Sequence, residues 1–210
     1  LTTADRPRLR AWAVASNPLY ANGLALLAAR AKAEMDEGRV PDQDCGNVGY
    51  EEYPTEMYAE LFAFLAQVEN DATGRADYAR RAHTLLMHIM NEAAKGPATA
   101  ENYTCNESLQ YPPFRHPDFA TEDRDRIRYH GEAFPLVVDW IYPTLTTQDK
   151  ATIRQVFLRW SQEVIARGYH HPEPVGAVND PALLANQQQV RFSGNNYYAA
   201  HMRNLGLMAL

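Results

Sequence analysis

The sequence predicts an all-α fold, on three observations. Apolar residues return every three or four positions through most of the chain, as in Ile153, Val156, Phe157, Trp160, Val164 and Ile165. Residues with helix-capping chemistry stand where such runs begin, most plainly Asn17-Pro18, Thr146-Thr147-Gln148-Asp149 and Asp180-Pro181. No stretch alternates apolar and polar residues with the β-branched enrichment of a strand. The expected organisation is a series of antiparallel helical hairpins.

Arg6 to Ala15 carries a short first helix, ending at Ser16-Asn17. Asn17 then caps a second helix with Pro18 at its first position. Leu19, Leu24, Leu26, Leu27, Ala31 and Met35 recur at helical spacing until Gly38 closes it. A polar loop from Arg39 to Glu52 leads to Pro54, which opens the next helix. Its Met57, Leu61, Phe62, Phe64, Leu65 and Val68 cover too wide an arc for a half-exposed helix, which predicts burial on most sides. Gly74 reads as a short turn, and Tyr78, Ala82, Leu85, Leu86, Ile89 and Met90 then continue to Lys95-Gly96-Pro97. So short a connection predicts an antiparallel hairpin.

Pro97 to Thr121, with Pro112-Pro113 and His116-Pro117, reads as a long irregular connection, and loops of this length are usually functional. A polar turn from Glu122 to Arg128 leads into the run Tyr129 to Tyr142, where Pro135 either kinks the helix or restarts it. Pro143 ends that element, Thr146 to Asp149 cap the next, and the helix up to Gly168 completes a second hairpin. A loop from Tyr169 to Asn179 precedes a short helix at Asp180-Pro181, and Ser193 or Gly194 caps the last helix. The chain opens at Leu1 rather than Met and closes inside an apolar pattern without a stop signal, so residues 1–210 read as one domain truncated on its C-terminal side.

With 46% hydrophobic and 22% charged residues, the composition is that of a globular protein. The net charge of −6 argues against nucleic-acid binding, which needs a basic face to displace phosphate counterions. No apolar run reaches the roughly 20 residues that span a bilayer. A soluble chain is expected, secreted or periplasmic, with any export signal upstream. The two cysteines, Cys45 and Cys105, lie in polar contexts and either form one disulfide or stand as unrelated thiols. Asn102-Tyr103-Thr104 and Asn106-Glu107-Ser108 match the glycosylation sequon.

Hairpins laid end to end make either an α-solenoid or a closed α/α toroid, and no fixed repeat separates the two. Val138-Asp139-Trp140-Ile141-Tyr142-Pro143-Thr144-Leu145-Thr146, followed by Ile153-Arg154, resembles a helical hairpin of the α/α-toroid domain in heparinase II/III-like and alginate-lyase-like polysaccharide lyases. Asn195-Asn196 and Leu205-Gly206-Leu207 are similar to a later helix of that family, which opens on an Asn pair and ends in a Gly-Leu-rich core. The resemblance is strongest over residues 129–210 and implies an incomplete (α/α) toroid that cleaves an acidic, uronate-containing glycan by β-elimination. The sequence departs from the family at Tyr197, where many members carry His directly after the Asn pair; here His201 comes four residues later. A further catalytic tyrosine of the family belongs to a helix pair past Leu210.

A uronate lyase must neutralise a carboxylate, take a proton from the adjacent carbon and protonate the departing glycosidic oxygen, which calls for Asn, Arg, His and Tyr. Asn195 and Asn196 are the candidate amide donors, with Tyr198 and His201 as candidate proton carriers. Tyr197, one turn before His201, joins Tyr129, His130, Arg191 and Arg203 as candidate substrate contacts, the arginines as bidentate carboxylate clamps. In the competing reading Asn195 is a cap, and Tyr198 and His201 are core residues. Asp139 and Trp140 are expected to be structural, with the carboxylate buried. His170-His171 lack a third ligand at helical spacing, so neither a metal nor another cofactor is expected. A glycoside hydrolase on the same scaffold would need two carboxylates across a cleft, for which Glu132 with Asp139 or Glu51 with Glu52 are the available pairs. The third alternative is a non-catalytic helical scaffold or glycan-binding module.

Overall fold

The computed structural model describes residues 2–41, 54–97, 126–167 and 196–209, with backbone alone for 126–132, 164–167, 196–199 and 201. Seven α-helices and no strand are found among the described residues. None of these helices is long and apolar enough to cross a membrane. The cysteines, both sequons, His170-His171, Glu51-Glu52, Asn195, Arg191 and the short helix expected after Asp180 lie outside the described residues.

Helix α1 (Arg6–Trp12) stops before the expected Ala15. Asn17 caps as predicted, its Oδ1 accepting from the Leu19 amide at 3.1 Å. The helix that follows widens into a π-turn at Tyr20–Leu24 before settling into α2 (Ala25–Asp36). Gly38 ends it at φ 74, a left-handed conformation that suits glycine. There the Gly38 amide donates to the Met35 carbonyl (3.1 Å) and the Arg39 amide to the Glu34 carbonyl (2.9 Å), a pairing that satisfies two carbonyls a bare helix end would strand.

Helix α3 (Pro54–Val68) is buried on most sides, although Met57, expected within its buried arc, is 43% exposed. Helix α4 (Ala72–Ala94) starts earlier than the sequence suggested, because Asp71 caps it by accepting from the Gly74 amide at 2.6 Å. Gly74 is therefore in the first helical turn and not in a turn between helices. A side chain there would meet Glu69 Cγ at 3.0 Å. Helix α5 (Arg126–Ile141) continues through Pro135, so the proline neither restarts the helix nor sits in its first turn. A 3₁₀ turn (Tyr142–Thr144) leads to α6 (Thr147–Arg167), and the last described element is α7 (Asn196–Met208).

Side-chain pairs fix the relative directions of these helices. Phe62 stacks on Tyr78 with ring centroids 5.8 Å apart, and the three residues between α3 and α4 make the pair the expected antiparallel hairpin. Tyr58 donates to Glu34 near the start of α3, and Tyr20 to Glu69 just past its end, so α2 also opposes α3. Lys32 meets Asp77 at 2.9 Å and Asp36 meets Arg81 at 2.8 Å, which makes α2 and α4 parallel. His83 meets Asp149 at 3.0 Å and Arg159 donates to the Ala93 carbonyl, which makes α6 parallel to α4. Gln67 donates to the Trp140 carbonyl near the C-terminal ends of both α3 and α5. Those of α5 and α7 share a groove.

Two rows result, α2-α4-α6 running one way and α3-α5-α7 the other. Alanines with no exposed surface, at 28, 31, 59, 63, 82 and 93, let the helices approach, and Phe62, Leu65, Leu85, Leu86, Ile89, Phe134 and Trp160 fill the space between them. Each such large side chain contributes roughly 1.5–3 kcal/mol by leaving water. The consecutive helices α5 and α6, expected as a hairpin, pack mainly on other neighbours: α5 lies against α3, α4 and α7, and α6 against α4 and α7.

Candidate functional site

Because alternate helices are parallel, α3, α5 and α7 all begin at one end of the molecule, where α2, α4 and α6 finish. Tyr129 and His130 fall in the first turns of α5, and Asn196, Tyr197 and Tyr198 in the first turn of α7, with His201 one turn on. Since α5 and α7 pack side by side, the fold brings these two groups of candidates to neighbouring helix starts. Arg203, two turns into α7, is exposed. Asn204 beside it is buried at 1% exposure, and with Ala200 marks the inward face of that helix.

Each helix start carries roughly half a positive charge in its unsatisfied amides. Neither α5 nor α7 has an acidic residue in its first turn, so nothing in either helix's own first turn offsets that charge. Helix α3 differs, since Glu56 lies in its first turn and is fully buried, next to the equally buried Thr55. Tyr58 further along donates to Glu34 at 2.7 Å. The Glu34 carboxyl is held below its ordinary value first by the Arg30 hydrogen bond and then by Tyr58.

On the other row, Arg159 and Glu163 reach the same end of the molecule. Arg159 donates to the Ala93 carbonyl and pairs with Glu163 at 3.2 Å. Burial pulls the guanidinium below its ordinary value, and the Glu163 carboxylate pulls the other way. Sequence reasoning passed over Glu56, Arg159 and Glu163. The signals available for them were an acid two residues after a helix-opening proline, and an Arg-Glu pair at helical spacing. Among the described residues, no three His, Cys, Asp or Glu side chains converge as a metal site would need.

Asp139 is exposed, a correction to the expected buried carboxylate. Its neighbour Trp140 is half-buried, ring against Phe64 at 5.8 Å. The Trp140 carbonyl, and not the Asp139 side chain, makes the contact with another helix, through Gln67. Asp139 lies on the rim of a groove of about 640 Å³ between α5, α6 and α7, lined chiefly by Leu136, Val138, Ile153, Phe157 and Leu207. That groove belongs to the C-terminal ends of α5 and α7, away from the candidate residues. Comparison with protein-family models, with characterised proteins and with solved structures finds no match.

Proposed function

We propose that the chain is an incomplete α/α-toroid domain of polysaccharide-lyase type, cleaving an acidic, uronate-containing glycan by β-elimination. The observation that carries this reading is the shared start of α5 and α7, which gathers Tyr129, His130, Asn196, Tyr197, Tyr198 and His201 at one end of two adjacent parallel helices. Two helix starts without an acid in their own first turns are compatible with a uronate carboxylate bound there. The two antiparallel rows are also compatible with the inner and outer rings of a toroid.

In the proposed reaction, Asn195 and Asn196 bind the uronate carboxylate and stabilise the charge that spreads into it as the neighbouring carbon loses its proton. His201 or Tyr198 accepts that proton. As the C–H electrons form the C=C bond, the bond from carbon to the glycosidic oxygen breaks, and the oxygen is protonated by the other member of this pair. Arg191 and Arg203 clamp neighbouring acidic groups, with Tyr129, His130 and Tyr197 against the sugar. The glycan is degraded outside the cytoplasm, by a secreted or periplasmic protein.

The test is to incubate the protein with uronate polymers and follow the ultraviolet absorbance of the unsaturated product. Absorbance that grows with time and enzyme supports the lyase. Its absence with every acidic glycan, together with release of reducing ends from neutral ones, replaces the lyase with a hydrolase.

A further inference from the structure

Three arginines from two separate helices line one cleft at the end of the molecule opposite the candidate site. Arg6 and Arg10 of α1 and Arg75 of α4 line a cleft of about 260 Å³, with Gln67, Trp140 and Thr144 among its other walls and no Asp or Glu in its lining. Two of the three have evident structural work. Arg10 Nε donates to the Gln67 carbonyl at 3.1 Å, and Arg75 donates to the Glu69 and Asn70 carbonyls at 2.8 and 2.6 Å, so both hold the C-terminal end of α3. Each uses one nitrogen for this, and the rest of its fork has no hydrogen-bond partner among the described residues.

Arg6 has no such explanation. Its Nε is buried and finds no hydrogen-bond acceptor among the described residues. The nearby acids have partners of their own: Glu69 accepts from the Tyr20 hydroxyl and the Asp71 amide, Asp71 from the Gly74 amide, and Asp5 from Thr2. The guanidinia of all three arginines stay protonated at any ordinary pH, and the carboxylates of this end stand outside the cleft's lining. A cleft lined by three guanidinia and, among the described residues, by no carboxylate favours an oxyanion.

We propose that this cleft binds a small oxyanion, a phosphate or sulfate group, between the guanidinia of Arg6, Arg10 and Arg75. Its volume admits a tetrahedral oxyanion with a small attached body, which would lie against Trp140. Guanidinium forks match the oxygen spacing of such groups and bind them through paired hydrogen bonds. The site is independent of the proposed lyase chemistry, since it lies at the other end of α3 and α5.

Calorimetry and thermal unfolding with inorganic phosphate, inorganic sulfate or chloride at matched ionic strength test the site. Saturable binding of phosphate or sulfate is expected, with a rise in melting temperature that chloride does not produce. Arg6→Gln should weaken the affinity about tenfold or more, the scale of losing charged hydrogen bonds. Its unliganded far-ultraviolet circular dichroism should stay as in the wild type, because Arg6 holds no helix end. If Arg6→Gln does not fold, Arg6→Lys keeps the charge but not the fork and should still weaken binding several-fold. Equal responses to chloride and phosphate, or unchanged affinity in whichever variant folds, would overturn the proposal.

Discussion

Asp77 joins α2 to α4 through three cations. It pairs with Lys32 at 2.9 Å, with Arg80 at 2.6 Å and with Arg81 at 3.2 Å, while Arg81 reaches on to Asp36. Partial burial on its own would push the Asp77 carboxyl up, but the hydrogen bonds from Lys32, Arg80 and Arg81 outweigh it and bring the group down to about 2 from an ordinary 3.8. A carboxyl lowered in the folded state contributes stability above its unfolded value and loses it as pH falls through the folded one. The loss should therefore run from about pH 4 down to about pH 2. Asp77→Asn should cost about 1–2 kcal/mol at neutral pH, after allowing for partial exposure, and should flatten this stretch of the acid-unfolding curve. Urea titrations at several acidic pH values would show it, and an unchanged slope would contradict it. At this scale the sequence was read least well. Asp139 sits among Val137, Val138 and Trp140, which suggests burial, yet its position on α5 turns it outward. Of the Arg6-Arg10-Arg75 cluster only the first two, one turn apart on α1, could be read from spacing; Arg75 joins them through packing.

Among the elements, the start of α6 illustrates what local chemistry can specify. The Asp149 amide donates to Thr146 Oγ1 at 3.1 Å and the Thr146 amide donates back to Asp149 Oδ2 at 2.8 Å, a reciprocal cap that the sequence Thr146-Thr147-Gln148-Asp149 announced. The same Asp149 oxygen meets His83 of α4 at 3.0 Å, and this long-range part had no local signal. Burial acts to raise the Asp149 carboxyl, while the bonds to His83 and Thr146 prevail and lower it. Thr146→Ala should cost about 1 kcal/mol as a lost cap. Asp149→Ala should cost more, and a double-mutant cycle with His83→Ala should show a coupling of about 0.5 kcal/mol or more. Strict additivity in urea unfolding would mean that the His83 contact contributes nothing. Gly38→Ala places a side chain in a left-handed conformation and should destabilise by about 1–2 kcal/mol, measurable in the same way. Asn17, Pro54 and Gly38 were legible because caps are written in adjacent residues, whereas Gly74 was misread because a glycine in a first helical turn looks like one in a loop.

For the whole molecule, the all-α class was legible from periodicity, but the two rows were not, since their directions rest on pairs such as Lys32 with Asp77 and His83 with Asp149. Those directions give the candidate residues their meaning. Tyr129 and His130 are more than sixty residues from Asn196 and His201, and only parallel α5 and α7 bring their helix starts to one end. The most direct test of the proposed site is the initial rate of unsaturated-product formation on a uronate polymer, compared between the wild type, Asn196→Ala and His201→Ala. The account predicts measurable turnover by the wild type and a loss of about 10²-fold or more in each variant at unchanged melting temperature. Wild-type rates in both variants, or no unsaturated product from any acidic glycan, would contradict it.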